Sequence, residues 1–325
     1  MSDEFSLIKK YFTQTPHQSG VVNLGVGDDA ALFTIADHHQ CVITTDALIS
    51  GKHFFPDTDP YRLGQKSLAV NLSDLAAMGA QPIAFTLALA LPQADESWLS
   101  AYSRGLLDTA AEYNCDLIGG DTTSSDALMI SITAIGQVPR GQAICRHTAQ
   151  INDDIWVTGT LGDASLALSL LKNHTNDEHL KIIRSRLESP TPRISTGMQL
   201  RHIAHAMLDL SDGLAGDLKH ILQASKVNAR IDLDTLPTSP TLRQYPTLTQ
   251  WQHAISGGDD YELCFTAPIS HRSSINALHN QTGVHCTRIG TITAPTSDQP
   301  HISWYSRKYP EQAVKTQDWS GYTHF

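Results

Sequence analysis

Short apolar runs alternate along the chain with longer segments of helical periodicity. Runs rich in Val, Ile, Leu and Thr, bounded by Gly, Pro or Asp, predict β-strands. Segments whose apolar residues recur every three or four positions predict helices. In the first part of the chain these patterns predict strands at 41–45, 83–91, 115–118 and 128–138, and helices at 60–79 and 97–113.

The same alternation returns after a polar segment with Pro and Gly at 139–154. Such a segment is typical of a domain junction, so a boundary is predicted near residues 140–150. Beyond it we predict a strand at 155–160, a helix after Gly162, a helix at 211–224, and strands in ARIDL, ELCFT and TRIGTIT. The predicted fold class is α/β (α+β), with domains at 1–140 and 141–325.

Composition narrows the class of protein. A chain of 325 residues suits two domains, and its 41% hydrophobic residues suit a globular protein with a sizeable core. The net charge of −10 argues against nucleic-acid binding. The five cysteines form no C-x-x-C pair, which argues against zinc and disulfides and favours a reducing compartment. With no long apolar run and no signal-like start, a cytoplasmic protein without membrane partners is predicted.

The acidic residues are strongly biased towards aspartate, with 26 Asp against 7 Glu. Aspartate is common in turns and helix caps, and it is also a short, stiff ligand for hard cations. Several aspartates follow predicted strands or Gly-rich loops, where open α/β sheets bind ligands. These are Asp28, Asp29, Asp46, Asp121, Asp209, Asp212, Asp259 and Asp260.

The predicted helix at 60–79 carries a polar stripe on an otherwise apolar surface. Ser67, Asn71 and Asp74 lie at positions i, i+4 and i+7 and therefore share one face. Two interpretations remain open at this point, since the stripe can face water or a polar ligand.

Converging carboxylates need positive charge. Two of them about 4 Å apart repel by roughly 4 kcal/mol at an effective dielectric near 20, and Lys is nearly absent from these motifs. Mg²⁺ suits such a site, because it binds carboxylates together with phosphate oxygens and water; Thr44 and Thr45 add further oxygens. P-loop, nucleophile-elbow and protein-kinase motifs are absent. Ser211 is a candidate cap for the helix at 211–224. Two interpretations of this motif remain open, since the amide groups of the helix can face a phosphate or the motif can be a plain cap.

Seven motifs together resemble one family. GVGDDAAL, TTDALISGKHF, NLSDLAAMGAQP, IGGDTT, LDLSDGL, SGGDDYELCF and DWSGYTHF are similar to those of the thiamine-monophosphate kinases, within the aminoimidazole-ribonucleotide-synthetase-like superfamily. The likeness runs from residue 4 to the last residue. It implies a homodimer of two-domain subunits whose N-terminal mixed sheets pair. It further implies that ATP and several Mg²⁺ ions bind between the domains, and that thiamine monophosphate becomes thiamine diphosphate.

The resemblance also implies roles for individual residues, motif by motif. The implied catalytic residues are Asp46, Asp74, Asp121 and Asp212. The implied metal ligands are Asp29, Thr44, Thr45, Asp46, Asp74, Asp121, Asp209 and Asp212. The implied nucleotide contacts are Gly120, Asp121, Arg146 and Ser211, and the implied substrate contacts are His53, Asp259 and either Trp319 or Tyr322. The family often has Glu where Asp259 stands, and the shorter side chain needs a water or a loop shift to make that contact.

The implied mechanism follows from charge. A terminal phosphate oxygen of thiamine monophosphate is already mostly deprotonated near neutrality, since the second phosphate pKa is about 6. Direct in-line transfer therefore needs no general base and forms no phosphoenzyme. Three alternatives remain: another ATP-using enzyme of the superfamily, a metal-dependent phosphate-ester hydrolase, and a non-catalytic metal or nucleotide sensor.

Overall fold

The computed structural model describes residues 4–13, 19–174, 178–296, 299–314 and 319–322. These residues form two compact units. The first unit comprises the described residues up to Leu75 together with Ala80–Gly141, and the second comprises Ala76–Gly79 together with the described residues from Gln142 onward.

The first unit is built on a mixed four-stranded sheet. Its elements are α1 (Glu4–Tyr11), β1 (Val22–Leu24), β2 (Leu32–Phe33), β3 (His39–Ile49), α2 (Pro60–Ala77), β4 (Gln81–Leu91), α3 (Glu96–Glu112), β5 (Asp116–Ser124) and β6 (Met129–Pro139). The sheet order is β3-β6-β4-β5, while β1 and β2 form a separate pair. Strands β4 and β5 are parallel, and β6 is antiparallel to both β3 and β4.

The two predicted helices of the first unit are present as α2 and α3. The apolar residues that predicted α2, among them Leu68, Leu72 and Leu75, are fully buried. The two helices approach very closely at two glycines. A Cβ on Gly64 would lie 2.2 Å from a backbone oxygen of α3, and one on Gly105 would lie 1.9 Å from a backbone oxygen of α2. Any larger residue at either position forces the helices apart.

The predicted C-terminal ends of two strands are wrong. In both cases a candidate aspartate lies inside the strand and not after it. Strand β3 continues past 45 to Ile49, so Asp46 lies inside a strand. Strand β5 continues past 118 to Ser124, so Asp121 also lies inside a strand. The Gly-Gly pair before Asp121 resembles a loop in sequence. In the structure the ladder between β4 and β5 shifts register there, an irregularity that glycine accommodates.

The second unit has a six-stranded sheet with the order β12-β9-β11-β7-β10-β8. Only the β12–β9 pair is parallel. Its elements are β7 (Asp154–Thr158), α4 (Asp163–Lys172), α5 (Glu178–Glu188), α6 (Ile194–Gln199), β8 (Ala206–Asp209), α7 (Leu214–Ser225), β9 (Asn228–Asp232), α8 (Thr247–Ser256), β10 (Leu263–Ala267), α9 (Arg272–Ala277), α10 (His279–Thr282), β11 (Cys286–Thr293), β12 (Ile302–Tyr305) and α11 (Pro310–Val314).

One face of this sheet is buried under α7 and α8. Alternate residues along the strands point to this face. Examples are Ile155, Leu208 and Ile231, which form one core with Leu218 of α7 and Trp251 of α8. Together the two units give the mixed α/β, two-domain fold class that the sequence predicts. In the described part of the chain, no helix combines the length and the apolar character needed to cross a bilayer.

Candidate functional site

In the first unit, strand β3 and helix α2 bring four polar side chains together: Thr44, Asp46, Asn71 and Asp74, here called the Asp46 cluster. The Thr44 hydroxyl donates a hydrogen bond to the carboxylate of Asp74. The backbone N–H of Asp46 donates to Asn71 Oδ1 at 3.1 Å. Thr44 and Asp46 are two residues apart in a strand and so point to the same side. The polar stripe of α2 therefore faces β3, and the interpretation that it faces water is wrong.

The electrostatics of the Asp46 cluster favour a cation. Burial and, to a smaller extent, the nearby charge of Asp74 together raise the pKa of Asp46 to about 6. No basic side chain contributes to this shift, so a positive ion placed beside the two carboxylates would relieve the cause of the raised pKa. Mg²⁺ is commonly held by one or two carboxylates plus phosphate oxygens, which this donor set matches.

Of the other predicted metal ligands of the first unit, Asp121 and Thr45 lie apart from the side chains of the Asp46 cluster. Asp121 is in β5, at the opposite edge of the sheet from β3; three strand spacings amount to about 14 Å. Asp29 is exposed, and its backbone N–H donates to the Asp28 carboxylate. The Thr45 hydroxyl lies 2.8 Å from the Thr133 hydroxyl, on the other side of β3 from Asp46. Within the described ranges there is no group of three or more His, Cys, Asp or Glu that could hold a metal.

Two further predicted contacts of the first unit occupy defined backbone positions. His53 lies in the turn after β3, where its Nδ1 accepts a hydrogen bond from the backbone N–H of Ile49 at 3.0 Å. Gly120 has a φ of 153°, and a Cβ there would lie 1.9 Å from the Leu87 carbonyl oxygen. Only glycine fits at position 120, directly before Asp121.

In the second unit, Asp209 ends β8 and Asp212 lies in the loop that leads into α7; residues 209–213 are here called the 209–213 loop. Helix α7, which follows this loop, is not capped as predicted. Helix α7 begins at Leu214, its N-cap is Gly213, and Ser211 makes no capping hydrogen bond. The predicted start of the helix at 211 and the capping role of Ser211 are therefore wrong.

A residue that sequence reasoning missed supports this loop instead. The buried carboxylate of Asp217 accepts the backbone N–H groups of Asp212 at 2.9 Å and Gly213 at 3.0 Å. Burial raises the pKa of Asp217 to about 7 despite these donors. The sequence feature that could have identified Asp217 is its position between Leu214 and Leu218, on the apolar face of α7. Because Asp217 occupies these two amides, they are not available to a phosphate.

A second loop lies directly against the first. The backbone N–H of Asp259 donates to the Ser211 carbonyl, and that of Tyr261 donates to the Leu210 carbonyl, both at 2.8 Å. Asp259 has a φ of 67°. Asp adopts this left-handed conformation more readily than most residues, which is consistent with Asp rather than Glu at position 259.

The segment 319–322 completes this region of the second unit. The backbone N–H of Tyr322 donates to the Asp212 carbonyl at 2.9 Å, and Gly321 lies against Gly216 at the start of α7. Trp319 packs against the hydrophobic core, whereas the Tyr322 side chain is 56% exposed. Of the two predicted aromatic contacts, Tyr322 therefore has the more exposed side chain.

Sequence reasoning also missed the buried anchor of the second loop, Glu262. Its side chain is completely buried. Arg193 Nε donates to it at 2.7 Å and Arg186 Nη2 at 2.8 Å, and the Thr158 hydroxyl donates at 2.6 Å. Glu262 thereby fixes the end of the 257–262 segment that carries Asp259.

Arg146, predicted to contact the nucleotide, lies on the surface of the second unit. Its side chain is exposed, and its carbonyl accepts the Ser225 hydroxyl at 2.9 Å. The backbone at this position is thus tied to the last turn of α7 while the guanidinium remains accessible.

Comparison with known proteins places these features in a family context. Residues 27–138 match the model of the AIR synthase related protein N-terminal domain, and residues 150–302 match that of its C-terminal domain. A curated thiamine-monophosphate kinase of Haemophilus influenzae is 46% identical over 298 residues, covering 91% of this chain and 90% of the relative.

Solved structures give the same picture. The crystal structure of a thiamine-monophosphate kinase from Stenotrophomonas maltophilia has a TM-score of 0.82 at 46% identity, and the match covers 86% of this chain and 90% of that one. A structure described as AaThiL complexed with AMPPCP and TMP has a TM-score of 0.77 at 27% identity, with 92% of each chain covered.

Proposed function

Because this chain belongs to the thiamine-monophosphate kinase family and is a kinase, we propose that it transfers the terminal phosphoryl group of ATP to thiamine monophosphate. The products are thiamine diphosphate and ADP. The strongest support is the near-complete match to the neighbour described as holding AMPPCP and TMP. The pairing of Asp46 with Asp74, both inside family motifs, adds support from this chain's own geometry.

In the first unit we assign cation binding to Asp46 and Asp74, with Thr44 as a further oxygen donor. Asp29, Thr45 and Asp121 keep the roles that the family motifs imply, as separate contributions. In the second unit we assign the same role to Asp209 and Asp212. Divalent ions bound there supply the positive charge that two phosphate compounds need in order to approach each other.

The residues of the chain itself then bind and orient the reactants. We assign Gly120, Asp121, Arg146 and Ser211 to the nucleotide. The planar guanidinium of Arg146 suits bidentate binding of a phosphate. We assign His53, Asp259 and Tyr322 to thiamine monophosphate, where a carboxylate and an aromatic face suit a cationic thiazolium ring.

We expect direct in-line transfer, because the acceptor oxygen is already deprotonated near neutral pH. Incubation with ATP, Mg²⁺ and thiamine monophosphate should form thiamine diphosphate and ADP in equal amounts, measured by chromatography. Incubation with labelled ATP alone should leave the protein unlabelled. Release of inorganic phosphate without thiamine diphosphate would instead indicate a hydrolase, and tight binding without turnover would indicate a sensor.

We further propose a homodimer formed through the first unit. Strand β3 is an edge strand of the four-stranded sheet, and alternate residues along it are exposed. They include the apolar Ile43, which is 64% exposed, and Ile49; Met129 of the neighbouring strand β6 is exposed as well. A long apolar edge strand of this kind is usually covered by a partner.

Replacing Ile43 with Asp should therefore dissociate the dimer. The added carboxylate cannot be buried without a partner, and each lost apolar side chain costs about 1.5–3 kcal/mol of burial. Light scattering should then give the monomer mass of 35.5 kDa in place of twice that value. Ile182, which is 65% exposed in the second unit, provides the matched control, since Ile182→Asp should stay dimeric. A wild-type monomer, or equal dissociation of both variants, would contradict this interface.

A cytoplasmic location completes the proposal. All five cysteines are free thiols, the state that a reducing compartment maintains.

A further inference from the structure

A pocket of about 300 Å³ lies over strands β9, β11 and β12 of the second unit. Its lining includes three arginines and a single acidic residue. Asp209 lies in β8, at the opposite edge of the six-stranded sheet from β12, so the pocket is separate from the 209–213 loop. We call it the arginine pocket and define it by Arg230, Asp232, Arg288, Thr291, Tyr305 and Arg307.

The lining side chains share the face of the sheet opposite the core. Arg230 pairs with Thr291 of β11, and its neighbours Ala229 and Ile231 are buried in the core. Arg230 and Thr291 therefore both point away from the core. On β12, Tyr305 pairs with Asp232, which lies two residues after Arg230 and points the same way.

An irregularity in β11 adds Arg288 to this face. The register of β11 against β7 shifts between Arg288 and Gly290, and Ile289 is completely buried. In a regular strand, Arg288 and Thr291 would point to opposite faces, because they are three residues apart. The extra residue of the bulge brings both to the pocket. Gly290 permits this geometry, since a Cβ there would lie 2.3 Å from the Arg230 carbonyl oxygen.

The arginines of the pocket are poorly neutralised. Among the described residues, no carboxylate lies within ion-pair distance of Arg230 or Arg307. Arg288 lies 3.4 Å from Asp154, but that carboxylate already receives two hydrogen bonds from Arg272, at 2.5 and 2.8 Å. Asp232 is also occupied, since the Tyr305 hydroxyl donates to it at 3.2 Å.

One arginine side chain and the backbone that carries another are held in place before any ligand binds. The Arg230 guanidinium lies 4.3 Å from the centroid of the Tyr305 ring, a cation–π contact that leaves its N–H edges available. The backbone N–H of Arg307 donates to Asp234 at 2.8 Å, and the Ser306 hydroxyl donates to the same carboxylate at 2.6 Å. The turn that carries Arg307 is thereby fixed.

We propose that the arginine pocket binds the diphosphate or triphosphate group of a small molecule. Three guanidiniums match the charge and the paired oxygens of such a group, and the hydroxyl of Thr291 adds a donor. The pocket is at the small end of the size range of ligand sites. The proposal does not depend on the kinase activity, because none of these residues belongs to the assigned active site.

The test is isothermal titration with inorganic pyrophosphate in EDTA, so that metal-dependent binding elsewhere does not contribute. Arg230→Gln and Arg288→Gln should each weaken binding by about tenfold or more, as expected for charge-assisted hydrogen bonds. Arg140→Gln, an exposed arginine of the first unit, should bind like the wild type. All three variants should remain folded, with a cooperative melting transition, and should keep the wild-type kcat and KM for thiamine monophosphate.

Titration with ADP separates two sources of the same group. Affinity equal to that of pyrophosphate means that only the phosphates are recognised, and higher affinity means that the nucleoside contacts the pocket as well. Either result supports the site if it is lost in Arg230→Gln. No pyrophosphate binding at about 1 mM, or equal binding by the wild type and Arg230→Gln, would overturn the proposal. An oligonucleotide that binds more tightly than pyrophosphate, and only when Arg230 is present, would overturn the small-molecule assignment.

Discussion

Replacing Asp46 with Asn is expected to abolish phosphoryl transfer and at the same time to stabilise the metal-free protein. Loss of a charged group that holds positive charge near the reacting phosphates should lower kcat by at least about 10²–10³-fold. The gain in stability has a separate cause. Burial and the charge of Asp74 raise the pKa of Asp46 from 3.8 to about 6, so the ionised carboxylate is unfavourable in the folded state.

Because the pKa of Asp46 is raised in the folded state, the stability of the metal-free protein depends on pH. Between pH 3.8 and about 6 the folded protein binds more protons at Asp46 than the unfolded chain does, so its stability falls as the pH rises through this range. Above this pH range the full cost of the ionised carboxylate remains, on the order of 3 kcal/mol. Urea unfolding in EDTA should therefore show Asp46→Asn to be more stable than the wild type near pH 8, and the difference should vanish near pH 3.5.

Asp37 supplies the control for this pair of measurements. It is an exposed acid in the turn before β3, and Asp37→Asn should change neither activity nor the pH dependence of stability. Asp74→Asn should abolish transfer as Asp46→Asn does. Near-normal turnover by Asp46→Asn at modest Mg²⁺ would show that the assigned role is wrong.

The second large effect is expected at Glu262, where Glu262→Gln should strongly destabilise the second unit. The wild-type carboxylate is completely buried and accepts hydrogen bonds from two arginines. The amide removes the negative charge and turns an N–H₂ group towards a donor. Breaking a buried ion pair on one side typically costs about 3–5 kcal/mol, which corresponds to a melting temperature lower by roughly 10 °C.

Calorimetry of Glu262→Gln beside Glu178→Gln tests this expectation. Glu178 forms an ion pair with Lys181, but both side chains are largely exposed, so its loss should cost no more than about 1 kcal/mol. If the two variants melted at the same temperature, the charge of Glu262 would not be required in the core.

Most of the secondary structure was predictable because burial is periodic. Helix α2 shows this best, since its apolar spacing alone predicted the residues that are buried. The ends of β3 and β5 were not predictable, because Asp is rare in strands and Gly-Gly is typical of turns. In the structure Asp46 lies inside the strand, and its backbone N–H donates to the Asn71 side chain of α2, a contact between segments distant in sequence.

The residues of the candidate site were predictable from the sequence, but the buried side chains that support them were not. The motifs identified Asp46, Asp74, Asp212 and Asp259, whereas Asp217 and Glu262 carry no motif of their own. Their roles depend on burial and on which donors the fold brings to them. Ser211 illustrates the opposite error, because a serine before a helix suggests a cap and the backbone geometry at Gly213 excludes it.

The hydrogen bond from Tyr322 to Asp212 separates the support of the 209–213 loop from the support of the sheets. Among the described residues every strand ends at or before Tyr305, so the segment 319–322 adds no strand to either sheet. It contributes instead to the 209–213 loop, through the backbone N–H of Tyr322. Removal of residues 319–322 by a carboxypeptidase should therefore leave the strands in place and take this contact away from the loop. Binding of substrate in the second unit would then be impaired by a cut that leaves the sheets folded.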